Sequence, residues 1–198
     1  MKKVILAVSA ALGLAASGAT FAQAPSNDMY MPWTHGFWGH VGVSGGESKF
    51  RQDCRFDNVF DCDQRDSAWK AYAGGQFNRI AGLEVGYTDF GTMRAAGGDT
   101  KAWAIPLTLN LGAPIGPRFD IFGKIGGVYG HTEVGAAPAT LVQTGTETGW
   151  GWTGGVGAAF RVTPNFDIRA DYDRYRLKFV GAGNQDVDML SAGVQFRF

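Results

Sequence analysis

The chain has 198 residues, and its 18 Lys and Arg balance its 18 Asp and Glu, so the formal net charge is zero. Nucleic-acid-binding domains are usually strongly basic, and this balance therefore argues against nucleic acid as a partner. The length suits one domain. The mean hydropathy of −0.10 fits a soluble protein, or a barrel whose strands turn only every second residue to lipid.

The first 24 residues have the pattern of an export signal. Lys2 and Lys3 precede a short apolar run, and Ala22-Gln23-Ala24 matches the small-residue cleavage pattern. An apolar run of this length suits a signal peptide better than a membrane anchor, which needs about 20 residues. No later stretch has the pattern of a transmembrane helix, so any membrane span has to be built from strands.

The rest of the chain alternates apolar and polar residues with the period of two that predicts β-strands. In the segment FDIRADYD, every second residue from Phe166 to Tyr172 is apolar, and the residues between them are all ionisable. We predict strands at residues 36–46, 67–77, 81–90, 102–111, 119–129, 149–162, 166–174 and 187–198.

The connections between the predicted strands alternate in length. Short turns follow the second, fourth and sixth strands, and longer polar or glycine-rich segments follow the first, third, fifth and seventh. Short turns at one end and long loops at the other are typical of the periplasmic and extracellular ends of an outer-membrane barrel. A soluble β-sandwich, with its apolar face packed inward, is the alternative.

Aromatic residues on the apolar faces favour the barrel because they cluster near the strand ends. Those near the long loops are Trp69, Tyr87, Trp103, Tyr129, Trp150, Trp152 and Tyr172, and those near the short turns are Phe77, Phe119, Phe160, Phe166 and Phe198. A sandwich core gives no reason to avoid the strand centres, whereas bilayer interfaces favour such rings. We predict an all-β, eight-stranded antiparallel up-and-down transmembrane β-barrel. The predicted divisions are a signal peptide over 1–24, a lead over 25–35 and the barrel over 36–198.

The segments GFWGHVGVSGGESKF, AWKAYAGGQFN, LEVGYTDFG, FGKIGG and GVQFRF resemble the eight-stranded transmembrane domain of OmpA-type outer-membrane proteins. The resemblance extends from Gly36 to the last residue. It implies a location in the Gram-negative outer membrane, surrounded by membrane lipid and lipopolysaccharide. It also implies that Phe198, with Phe196 on the same face, belongs to the signal that the barrel-assembly machinery reads. We expect no peptidoglycan-binding domain, because the sequence ends with the barrel.

The inward faces carry the best candidate site. Their ionisable residues are Lys70, Glu84, Lys124, Arg161, Asp167, Arg169, Asp171, Asp173 and Arg197. An eight-stranded barrel is only wide enough for side chains to fill it, so these charges must pair. We single out Lys70, Glu84, Lys124, Arg169 and Asp171 as a lumen ion-pair network and expect Glu84 to be coupled to Lys124. The network is either a structural plug or a gate that exchanges partners and passes small ions.

Three other candidates lie outside the lumen charges. Cys54 and Cys62, in the first long loop, are expected to form a disulfide in an oxidising compartment, with a redox or zinc role as the alternative. An acyl-transfer constellation of His35, His40 and Asp66-Ser67 would suit a lipid A-modifying barrel, but a charged lumen leaves no cavity for an acyl chain.

The long loop between Lys49 and Asp66 is a candidate adhesive surface. We nevertheless expect a monomeric, non-enzymatic barrel without cofactor or metal. Its expected role is structural support of the envelope, with a narrow gated pore or surface binding as alternatives.

Overall fold

The computed structural model describes residues 38–50, 65–78, 80–95, 98–135, 145–179 and 183–198. The predicted signal peptide and lead, the Cys54–Cys62 disulfide and most of the candidate adhesive loop lie outside these residues. Within the described ranges, no helix is long and apolar enough to cross a bilayer.

Eight strands form one closed antiparallel barrel, in which each strand pairs with its neighbours in sequence and β1 pairs with β8. The predicted fold class is confirmed. The strands are β1 (Trp38–Phe50), β2 (Arg65–Gln76), β3 (Ala81–Ala95), β4 (Gly98–Pro114), β5 (Phe119–Val134), β6 (Gly145–Arg161), β7 (Phe166–Phe179) and β8 (Gly183–Arg197).

The strands extend further towards the long loops than the sequence predicts. β7 was expected to end at residue 174 but continues to Phe179, and β8 begins at Gly183 rather than at residue 187. The outward residues of this extension, such as Arg176, are polar, so the apolar alternation ends while the hydrogen-bonded ladder continues. The inward residues Tyr175 and Leu177 are buried and hold the extension in the barrel.

The outer face of the barrel is a continuous apolar surface. Its large exposed side chains include Val43, Leu83, Val85, Leu107, Leu109, Ile125, Val156, Ile168, Leu190 and Val194. Exposed Trp69, Trp150, Trp152 and Tyr172 lie towards the long-loop ends, and exposed Phe77, Phe119, Phe160 and Phe166 towards the short turns. An apolar band between two aromatic belts is the surface that a bilayer covers.

The lumen has two layers of different chemistry. Charged residues fill its middle, and an apolar layer closes it at the long-loop end. The apolar layer consists of Phe50, Ala68, Phe90, Ala102, Ala104, Val128, Tyr175, Leu177, Val187 and Met189. At its centre the rings of Phe90 and Tyr175 meet edge to face, with 4.9 Å between their centroids. The sequence pattern does not predict this layer, because Phe50, Tyr175 and Leu177 lie in strand ends that were assigned to loops.

Inward-facing glycines allow neighbouring backbones to approach closely. A Cβ atom at Gly126 would overlap the carbonyl oxygen of Leu107 and lie 2.7 Å from the Cα atom of Thr108 on β4. The adjacent Gly127 faces outward, and a Cβ atom there would have no neighbour within 4 Å. There is therefore space for a side chain at Gly127 but not at Gly126, although the two residues are consecutive in sequence.

We predict that Gly126→Ala destabilises the barrel by at least about 2 kcal/mol, because the added methyl group forces β4 and β5 apart. Gly127→Ala is the matched control and should change the free energy of unfolding by less than about 0.5 kcal/mol. Urea unfolding of protein refolded in lipid vesicles measures both values. Equal stability of the two variants would show that β4 and β5 accommodate a methyl group at Gly126 without loss of unfolding free energy.

Candidate functional site

Arg169 of β7 occupies the centre of the charged layer. Its Nη1 atom lies 2.7 Å from Glu84 Oε2, and its Nη2 atom donates to Glu84 Oε1 at 3.2 Å. Its Nε atom lies 3.1 Å from both carboxylate oxygens of Asp171, and Nη1 also donates to the amide oxygen of Gln195 at 2.9 Å. One guanidinium thus ties β7 to β3 across the lumen and to β8 beside it.

Two aromatic rings enclose this guanidinium. The Cζ atom of Arg169 lies 4.4 Å from the ring centre of Tyr72 and 4.5 Å from that of Phe122. Both distances are within the range of cation–π attraction. Glycines make room for the rings: Gly42 lies directly opposite Tyr72 and Gly157 directly opposite Phe122, and a Cβ atom at either glycine would overlap the ring. The rings fix the plane in which Arg169 binds its carboxylates.

The two inward lysines lie between two aspartates of β7. Lys70 Nζ lies 3.0 Å from Asp171 and 2.7 Å from Asp173, and Lys124 Nζ lies 3.0 Å and 2.6 Å from the same residues. Asp171 therefore contacts three cations, since Arg169 also binds it. Together with Glu84, three acids balance three bases, and all six side chains are at least nine-tenths buried.

Glu84 and Lys124, which we expected to be coupled, are not direct ion-pair partners in the described part of the chain, and their energetic coupling stays a prediction. Glu84 binds Arg169, accepts a hydrogen bond from Asn110 Nδ2 at 3.2 Å and contacts His40 Nε2 at 3.3 Å. Among the described residues, no direct ion pair joins Glu84 to Lys124. Barrel shear brings β7 opposite β3 at this level, so Arg169 reaches Glu84, and Lys124 turns to the β7 aspartates.

A second charged cluster lies towards the short-turn end. Arg197 Nη2 binds Asp167 at 2.5 Å, and Arg161 Nη2 lies 3.4 Å from Asp120. Gln195 donates to Asp167 at 3.3 Å and accepts from Arg169, so one amide joins the two clusters. The ion pairs therefore form a continuous column through the lower and middle lumen.

Little space is left beside the column. One cavity of about 20 Å³ lies beneath the apolar layer, against Lys70, Glu84, Thr88, Lys124 and Tyr175. That volume holds roughly one or two water molecules. At this level of the described lumen, the cavity has room for internal hydration.

All five sequence-predicted lumen residues lie in this network, but the set was incomplete. It left out Asp173, which binds both lysines, and the rings of Tyr72 and Phe122 that enclose Arg169. Strand parity would have found the rings, because Tyr72 is two residues from Lys70 and Phe122 is two residues from Lys124.

The described members of the acyl-transfer constellation do not come together. His40 lies opposite Gly74 on β2 and contacts Glu84, whereas Ser67 lies about 23 Å further along β2. Asp66 accepts hydrogen bonds from the backbone amides of Ser67 and Thr92. His35 lies outside the described residues.

Comparison with known proteins gives a consistent picture. The profile of the OmpA-like transmembrane domain matches residues 38–198. Outer membrane protein A of Salmonella typhi is 28% identical over 208 residues, and that of Shigella flexneri is 29% identical over 208 residues. Each alignment covers 100% of this chain and 56% of the relative, so the chain spans about half the length of these proteins.

Solved structures share the architecture at lower identity. Neisserial surface protein A has a TM-score of 0.61 at 18% identity, with 82% of this chain and 97% of that chain covered. A major outer membrane protein from Thermus thermophilus has a TM-score of 0.56 at 13% identity, with 83% and 100% covered. These likenesses concern the fold.

We predict strong energetic coupling between Arg169 and Glu84. Arg169→Met leaves buried acids without their shared cation and should cost about 3–5 kcal/mol of unfolding free energy. Adding Glu84→Gln to the same chain should recover part of that loss. A double-mutant cycle measured by urea unfolding in lipid vesicles gives the coupling, which we expect at about 1–3 kcal/mol.

The matched control is the more exposed pair of Arg161 and Asp120, whose side chains are 20% and 32% exposed. Arg161→Met and Asp120→Asn should couple by less than about 1 kcal/mol. Additive losses at Arg169 and Glu84 would contradict the assignment of this pair as the centre of the network.

Proposed function

Because this chain belongs to the family of OmpA-like transmembrane domains, we propose that it is a structural barrel of the cell envelope with a closed lumen. It is an integral protein of the Gram-negative outer membrane. The observation that carries the proposal is the apolar layer of Phe50, Phe90, Tyr175, Leu177 and their neighbours above the neutral ion-pair network. The two layers close the lumen by different physical means.

The ion-pair network supports a plug because its charges are saturated. Asp171 and Asp173 share two lysines, and Arg169 is bonded on every side and enclosed by rings. An ion entering this layer would have to displace a buried pair, and breaking such a pair costs about 3–5 kcal/mol. Exchange of partners in this layer would still leave the apolar layer in place.

The apolar layer supports the plug independently. Phe90, Val128, Val187 and Met189 have no exposed surface, and a hydrophobic constriction excludes water and hydrated ions. If the ion pairs alone formed a gate, the apolar layer would still block the lumen when that gate opened. For this reason we favour a plug over the gated pore.

We further propose that the C-terminal strand is the element that the barrel-assembly machinery recognises during biogenesis. Phe196 and Phe198 face outward at the end of the β8 segment, and the rings of Phe196 and Phe166 lie 5.2 Å apart. In the finished barrel, Phe198 exchanges two backbone hydrogen bonds of 3.0 Å with Gly39. Because the side chain of Phe198 faces outward and does not pack in the lumen, we propose that this residue acts in barrel assembly. The finished barrel is proposed to act as a monomer.

We predict that the refolded protein shows no sustained conductance in planar lipid bilayers. A network variant, Arg169→Ala with Glu84→Ala, should stay closed because the apolar layer is intact. A variant of the apolar layer, Phe90→Ala with Leu177→Ala, should stay closed because the ion pairs are intact. Only the combination of all four changes should conduct. Sustained single-channel openings of the wild-type barrel at low voltage would contradict the plug.

We predict that deleting Phe198 lowers the amount of folded barrel in cells several-fold. Refolding of the purified variant into detergent should be almost unaffected, because the lumen does not depend on this residue. Heat-modifiable gel migration measures the folded fraction in both settings. Phe160→Ala, which removes an outward ring of the same belt, is the control. Wild-type levels of the deletion variant in cells would argue against the assembly role.

A further inference from the structure

The hydrogen-bonded ladder between β3 and β4 is interrupted within the membrane-spanning wall. After the pair Val85–Leu107, the next two pairs are missing from the described ladder, which resumes at Thr88. The register places Gly86 opposite Pro106 at the interruption, and both residues line the lumen. Proline has no backbone N–H, so the carbonyl oxygen of Gly86 lacks the donor that an unbroken ladder would supply. A barrel surrounded by lipid has to satisfy that carbonyl internally.

The lumen cavity beneath the apolar layer lies directly against this interruption. Its lining includes Gly86, Pro106, Lys70, Thr88, Lys124 and Tyr175. Gly86 has no side chain, so its backbone forms part of the cavity wall. The interrupted ladder and the cavity are therefore one feature, and a molecule in the cavity of about 20 Å³ can reach the backbone of β3.

The polar groups around the cavity have hydrogen-bonding capacity beyond their contacts with one another. Lys70 lies directly opposite Thr88 on the neighbouring strand. Its ammonium group has three N–H donors, of which the two β7 aspartates accept one each in the described part of the chain. The hydroxyl groups of Thr88 and Tyr175 are 3.5 Å apart, at the limit of a hydrogen bond. A ligand that both donates and accepts can therefore bind several of these groups at once.

The chemistry of the surroundings selects an uncharged polar ligand. The adjoining network has three buried acids and three buried bases, so an added ion would remain without a counter-charge. An apolar occupant would offer no hydrogen bond to the ammonium group of Lys70 or to the carbonyl group of Gly86. Water is neutral, fits a volume of this size, and both donates and accepts hydrogen bonds.

We propose that a structural water in this cavity replaces the amide donor that Pro106 lacks. The water donates one hydrogen bond to the carbonyl oxygen of Gly86 and one to the hydroxyl oxygen of Thr88, and it accepts one from the ammonium group of Lys70. Three hydrogen bonds are the usual number for a buried water in a protein. The cavity is therefore a specific hydration site that joins the charged layer to the backbone of the barrel wall.

This hydration site does not depend on whether the lumen is closed. Its three binding groups come from the wall at β3 and from one lysine of β2, and none of them belongs to the apolar layer. A conducting barrel would therefore leave the hydration site intact, and a cavity without bound water would leave the plug intact.

The first test counts bound water in the full chain refolded in detergent micelles, with ¹⁷O-labelled water as the probe. Oxygen relaxation dispersion detects only water molecules that are held far longer than bulk water, and exchanging hydroxyl or ammonium protons do not contribute. Thr88→Val removes one binding group at nearly constant side-chain volume and should lower the count by about one. The matched control is Thr153→Val. It removes another buried hydroxyl, which donates to the backbone of Arg174 at 3.0 Å and does not line the cavity, and it should leave the count unchanged.

Equal counts in the wild type, Thr88→Val and Thr153→Val would overturn the proposal. An equal loss in both variants would also overturn it, because the water would then lie elsewhere. A crystal structure of the wild-type barrel tests the site without any substitution. It should show a water oxygen about 3 Å from both the Gly86 carbonyl oxygen and Lys70 Nζ. A structure that shows other lumen waters but none at this position would refute the hydration site.

The role of the water in the ladder is tested by restoring the missing amide. Pro106→Val supplies an N–H group at similar side-chain volume, so the Gly86 carbonyl no longer needs water. Thr88→Val should therefore lower the urea midpoint of unfolding at least about twice as far in the wild type as in the Pro106→Val chain. Heat-modifiable gel migration checks that each variant is folded. Equal shifts of the midpoint in the two chains would show that water does not replace the amide.

Discussion

The width of the lumen is the constraint on which the rest of this structure depends. Closing eight strands leaves an interior only just wide enough for side chains to fill. Every inward residue must therefore pack or pair, and no bulk water is available to satisfy a charge. That width explains why the charges around Arg169 sum to zero. It also explains why the rings of Tyr72 and Phe122 lie opposite glycines, Gly42 and Gly157.

Strand parity was enough to predict the architecture and the inward set. A period of two separates the lipid-facing from the lumen-facing residues, and it placed Lys70, Glu84, Lys124, Arg169 and Asp171 inside the barrel. Parity says nothing about which charges meet across the lumen. That depends on the shear of the barrel, which sets the heights of non-adjacent strands, and this is why Arg169 and not Lys124 is the partner of Glu84.

The apolar layer was missed for a different physical reason. Towards the long loops, the outward residues become polar while the inward residues change from charged to apolar, so the pattern of a membrane strand is inverted. Phe50, Tyr175 and Leu177 then look like isolated apolar residues in a loop. Outside the membrane, a β-barrel obeys the rules of a soluble protein, with its core inside. The same inversion separates the closed outer end of the lumen from its charged middle.

The bonds between Phe198 and Gly39 join the two ends of the described chain. The partners of β1 are therefore β2, the next strand in sequence, and β8, the last strand of the barrel. Until β8 is in place, both edges of the sheet are open and able to pair with other chains. Closure is an all-or-none event with a high entropic cost of bringing distant segments together. A barrel without β8 would therefore leave the hydrogen-bonding edge of β1 exposed, so only a chain that contains all eight strands can close.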